Sequence, residues 1–231
     1  MKNKQNIQKM VVLAMLLALS IVLQAIARFM PALSIYALPL GLIPVAVAAI
    51  VYGPKEGMLI GFLWGAFINL TDPDCHTFYN WADLNRGLAI FYTIIAVAGR
   101  GALDGLFIGL VYKGLMALLG LFIKKENKSV QITIETIVTM LVSFLMLLFN
   151  NVVFYTCLKM FFAVNWPALA KFFSLNLAIS IVVSIITAPI MSRVVLVSTV
   201  ILNTENNYEH KEEESTEDSE KASDTFKALQ D

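Results

Sequence analysis

The sequence predicts an all-α membrane protein of about six transmembrane helices, N-terminus and C-terminus inside, with a partly ordered outer loop after helix 3. Three observations predict it. Hydrophobic residues make up 58% of the chain and charged residues only 15%, with a mean hydropathy of +0.73, far from the balance of a soluble domain. The apolar residues come in runs near the length that crosses about 30 Å of hydrocarbon as a helix, about 20 residues. Threading those runs back and forth also gathers most lysines and arginines on one side.

The first run covers about 10–28 and follows a basic start with Lys2, Lys4 and Lys9. It begins like a signal peptide, but it continues to Ala27 without an A-x-A site and reads as an uncleaved span. The second covers about 33–52 and the third about 56–70. Between them Tyr52-Gly53-Pro54-Lys55 breaks the helix, since glycine and proline end helices and lysine prefers water. So short a turn makes the two helices antiparallel neighbours.

Residues 71–86, TDPDCHTFYNWADLNR, are polar, aromatic and punctuated by Pro73, which reads as a loop. From Gly87 to Phe122 the chain is almost wholly apolar, too long for one span and short for two. The fourth span is placed at about 99–123, with 87–98 as a hydrophobic part of the loop folded back on the helices. The fifth follows at about 131–157 and the sixth at about 168–202, joined through Asn165, Trp166 and Pro167. These spans form one domain, 1–202; the acid-rich remainder, 203–231, reads as a disordered cytoplasmic tail.

With the N-terminus inside, the inner side collects Lys2, Lys4, Lys9, Lys55, Lys113, Lys124, Lys125, Lys128 and Arg193. The outer side keeps Arg28, Arg86, Lys159 and Lys171, and its main loop carries Asp72, Asp74 and Asp83. Splitting 87–123 to give seven spans inverts everything after it and spoils this asymmetry. The localisation that follows is a multi-pass protein of the cell membrane.

The charge pattern gives no support to a nucleic-acid partner. Cys75 and Cys157 lie far apart with no CxxC or Cys/His finger spacing, and Asp72, Asp74, Cys75 and His76 match no metal-ligand spacing, so no metal site is expected. Neither G-x-x-x-x-G-K-[ST] nor H-E-x-x-H nor G-x-S-x-G occurs.

Intramembrane charge is costly and usually faces a cavity or a partner. Arg100 is the main candidate, because its guanidinium stays charged and clamps a carboxylate through two parallel hydrogen bonds. Asp104, one helical turn on, competes as a local counter-charge, and snorkelling of Arg100 to the interface competes as well. Asn150 and Asn151 stand in an apolar run and offer donors and acceptors to a ligand, or to a neighbouring helix; Asn69 and Asn176 carry the same two readings. The outer loop, with Phe78, Tyr79, Trp81 and Asn85, reads either as a lid over a pocket or as an interfacial aromatic belt.

Small residues recur every four positions: Ala14 and Ala18; Gly57, Gly61 and Gly65; Gly101, Gly105 and Gly109. Such stripes let helix backbones approach closely. For the glycines the expected use is packing within the chain; for Ala14 and Ala18, docking to another membrane protein is the alternative.

The Ala14-x-x-x-Ala18 pair, the Tyr52-Gly53-Pro54-Lys55-x-Gly57 turn running into Gly61 and Gly65, and an arginine opening the fourth helix before a glycine-rich stretch ending at Tyr112-Lys113 occur in order. An asparagine in the fifth helix, Asn150 or Asn151, and the Asn176 to Pro189 layout of the sixth follow. From about Lys9 to Val200 the chain resembles the substrate-binding S components of energy-coupling factor (ECF) vitamin transporters. The resemblance implies a six-helix protein that binds a vitamin near the outer surface through the loop after helix 3 and helices 4 to 6. It implies docking of the Ala14 and Ala18 face onto a membrane coupling (T) subunit driven by two separate ATPases, with toppling to release the cargo inside and no cofactor in this chain. Many relatives carry Pro-Arg where this chain has Gly99-Arg100, and some have an acid near Ser180.

An arginine for a carboxylate and amides for hydroxyls suit a small, flexible anion, and pantothenate fits best among vitamins; riboflavin or folate would want broader aromatic surfaces. A stand-alone secondary transporter would need internal repeats and a coupling acid near the midplane, and only Asp104 qualifies. An intramembrane enzyme using Asp104 or His76 lacks a second titratable partner.

Overall fold

The computed structural model describes residues 2–28, 40–80, 84–122, 128–164 and scattered positions between 167 and 197. The chain divides into two units, Met1–Val195 and Leu196–Asp231, and the description below concerns the first. Every regular element among the described residues is helical. Among the described residues, three helices are long and apolar enough to cross a membrane: Ile7–Ala27, Arg86–Gly120 and Ile132–Phe162.

Helix α1, Lys2–Arg28, turns Leu13, Ser20 and Ala27 inward and leaves Met10, Met15, Leu19, Val22 and Ile26 exposed. Helix α2, Leu42–Val51, is short and apolar on all sides. Such a helix belongs in an interior, and Leu42, Val45, Ala46, Ala48 and Ala49 are wholly buried. Its alanines let α1, α3 and α6 close around it.

Gly53 then adopts φ +122, a conformation that L side chains rarely take. Pro54 opens α3, Pro54–Thr71, where its missing N–H costs nothing. At this end Lys9 of α1 pairs with Glu56 of α3 at 2.5 Å.

The loop expected over 71–86 contains a short helix, α4, Pro73–Phe78, with proline again at its first position. The larger correction concerns 87–98, expected as a folded-back loop. Helix α5, Arg86–Ile94, passes through one π turn, Ile95–Gly99, into α6, Arg100–Phe122. The stretch contains no helix-breaking proline, and Asn85 caps its start by accepting from the Gly87 amide at 3.3 Å. At helical rise the 35 residues Arg86–Gly120 span about 52 Å, well beyond the hydrocarbon layer. Helix α7, Lys128–Phe162, runs back alongside. The sixth expected span lies largely outside the described residues, as do residues 33–39 of the second and the acidic tail.

Helices α3 and α6 lie backbone to backbone. A Cβ on Gly57 would strike Ala49 and the Gly105 carbonyl; one on Gly61, the Gly101 carbonyl; one on Gly65, Val97 and Ala98; one on Gly109, Pro54. Each step of four forward along α3 meets a step of four back along α6, an antiparallel contact only glycine permits.

Candidate functional site

Helices α5, α6 and α7 hold a polar layer between aromatic pairs. On one side Tyr92 of α5 stacks on Phe161 of α7, centroids 4.8 Å apart. On the other, Phe107 of α6 stacks on Phe149 of α7 at 4.0 Å. Between them the Arg100 guanidinium lies 4.5 Å from the centre of the Phe154 ring, within the range of a cation–π contact. One turn further along α6, Asn150 Nδ2 donates to Asp104 Oδ2 at 2.5 Å.

Among the described residues this layer is incompletely paired. Asp104 is wholly buried and Asn150 is 3% exposed. Arg100 Nε and Asp104 Oδ1 are both buried without a hydrogen-bond partner. Buried polar atoms are nearly always paired; here a donor and an acceptor without hydrogen bonds stand one turn apart on α6, on side chains of opposite charge that interact with each other. The π turn immediately before Arg100 belongs to the same picture, because π turns often sit at functional sites.

The end of this layer nearest α4 is aromatic. Tyr155, Leu158 and Phe162 pack with Phe78, Leu84, Tyr92, Phe154 and Phe161. Tyr79 donates to the Asn69 carbonyl at 2.5 Å and His76 Nε2 meets the Leu70 carbonyl at 3.2 Å, so α4 folds back over the end of α3. Burial, and secondarily Cys75, raise the Tyr79 phenol above its usual 10.0. Cys75 and Cys157, remote in sequence, both lie within electrostatic reach of Arg100.

The expected site residues therefore separate into groups. Arg100 and Asn150 share the polar layer, and Asn151, 9% exposed, adjoins it on α7. Asn69, 4% exposed, lies at the α4 end with Tyr79, its side-chain oxygen buried without a partner. Asn85 caps α5. Trp81 and Asn176 lie outside the described residues. Ala14 and Ala18 are on the exposed face of α1. Sequence reasoning missed Phe154, one turn after Asn150, and the two flanking aromatic pairs; the i, i+4 spacing of Asn150 and Phe154 against Arg100 and Asp104 was the available signal.

Residues 8–199 match the family model for the ECF transporter, substrate-specific component. The chain belongs to this family. No curated protein and no solved structure matches. As an ECF substrate-specific component it is a membrane protein and a transporter subunit, and the family works with a T subunit, ATPase modules and a small-molecule substrate.

Proposed function

We propose that this S component captures a small anionic vitamin, pantothenate best of all, on the outer side of a bacterial-type plasma membrane and releases it inside. The observation that carries this reading is Arg100: a permanent cation held against Phe154, with a buried N–H awaiting an acceptor, as a carboxylate clamp requires. Asn150, Asn151, Asn69 and Asn176 supply amides for the rest of the ligand. Tyr79, Trp81 and Asn85 belong to the loop that closes over it. The exposed Ala14 and Ala18 face of α1 is the surface for the T subunit, whose two ATPase partners supply the energy; this chain needs no cofactor or metal of its own.

A second vitamin class has its own support. Tyr92, Phe154, Tyr155 and Phe161 give the site more aromatic surface than a flexible chain needs, which suits a ring-bearing ligand such as riboflavin or folate. Binding of a vitamin panel to the detergent-purified chain, with Arg100→Ala alongside, tests the reading. Tight binding of one anionic vitamin, abolished by the substitution, supports it; binding untouched by the substitution removes Arg100 from the site.

A further inference from the structure

Arg100 Nε is a buried donor without an acceptor, and Asp104 Oδ1 is a buried acceptor without a donor. They stand one turn apart on α6, so one molecule of modest size spans both. Asp104 is wholly buried, and its other oxygen is already committed to Asn150. That bond holds the carboxylate by one oxygen, while Oδ1 has no hydrogen bond among the described residues. A buried carboxylate facing an anion and nothing else would repel it. The pair makes sense with a ligand that brings an acceptor for Arg100 and an O–H or N–H donor for Asp104.

We infer that Asp104 is a specificity-determining residue, which selects carboxylates carrying a hydroxyl or N–H donor about one helical turn from the acidic group. The inference rests on the reading that the substrate sits at Arg100. Asn150 is the positioning residue, since its amide sets which carboxylate oxygen is free. A purely apolar acid gains Arg100 but leaves Oδ1 desolvated and unpaired, and is rejected on that ground.

Calorimetric titration of pantothenate and of an analogue lacking its hydroxyls, into the full chain as wild type, Asp104→Asn and Arg100→Gln, tests this. The isosteric amide keeps an oxygen for Asn150 and places an NH2 where the free oxygen stood. The unliganded variant should melt below wild type, because removing Asp104 leaves the Arg100 cation one turn away without its counter-charge, so affinities are compared at a temperature where every variant is folded. Wild type should prefer pantothenate by about tenfold or more, the worth of a hydrogen bond to a charged group. Asp104→Asn should cut that preference to about twofold or less, while Arg100→Gln weakens both ligands alike.

A full preference retained in Asp104→Asn, or both affinities unchanged by it, overturns the inference and leaves Arg100 in place. Affinities indifferent to Arg100→Gln overturn the anion clamp on which the inference rests. If neither pantothenate form binds, riboflavin and folate are titrated in their place. A panel in which no affinity falls on Asp104→Asn also overturns it.

Discussion

Asn150 and Asp104 join α7 to α6 through a hydrogen bond of 2.5 Å between residues 46 positions apart, both side chains buried. In sequence Asn150 stands beside Asn151 and Asp104 one turn after Arg100, and the bond between them ties the two polar clusters together. Asn150→Ala removes the donor and leaves both Asp104 oxygens unpaired. The expected cost is about 1–3 kcal/mol, read as a lower melting temperature of the detergent-purified chain.

The α3/α6 contact predicts a sharp contrast between glycines. Gly61→Leu forces a side chain against the Gly101 backbone and should cost more than about 2 kcal/mol, since backbone cannot yield as side chains do. Gly114 has nothing within 4 Å of a built Cβ. Gly114→Ala should be neutral or stabilising by about 0.5–1 kcal/mol. Thermal melts of the two variants check both.

Tyr79→Phe removes the hydrogen bond to the Asn69 carbonyl and should cost about 1 kcal/mol. The phenol's folded pKa is raised by burial above 10.0, so the neutral form is favoured in the native state. Its contribution is then fully present below the unfolded pKa and is lost as pH rises through the folded one. Wild type should lose stability above about pH 10 more steeply than Tyr79→Phe does, in melts taken across that range.

Lys9 and Glu56 are partly exposed, 38% and 23%. Glu56→Gln should therefore cost less than about 1 kcal/mol, and the difference from wild type should shrink as salt is raised.

Several of these features were legible in the sequence. The glycine stripes announced a close helix pair, because a period of four small residues has few other physical uses, and the structure pairs them as expected. Tyr52-Gly53-Pro54 announced the turn through the special backbone of Gly53. Arg100 stood out because a charge inside an apolar run needs a reason. What was misread is equally physical. The length of 87–122, more than a bilayer needs, argues for a loop over 87–98, yet no proline lies between Gly87 and Phe122, and Asn85 is a ready cap. The π turn at Ile95–Gly99 leaves no compositional trace. Asp104 interacts with Arg100, its neighbour in sequence, as the i, i+4 spacing predicts, and it also accepts from Asn150 across the helix pair; no local pattern carries that second contact.

The most direct test of the central claim is uptake of radiolabelled pantothenate into proteoliposomes holding this chain, with and without the T subunit and ATPases. Uptake that requires the partners and ATP, and fails with Arg100→Ala, is the expected result. Uptake by this chain alone, driven by an ion gradient and indifferent to ATP, would contradict it and make the protein a secondary transporter.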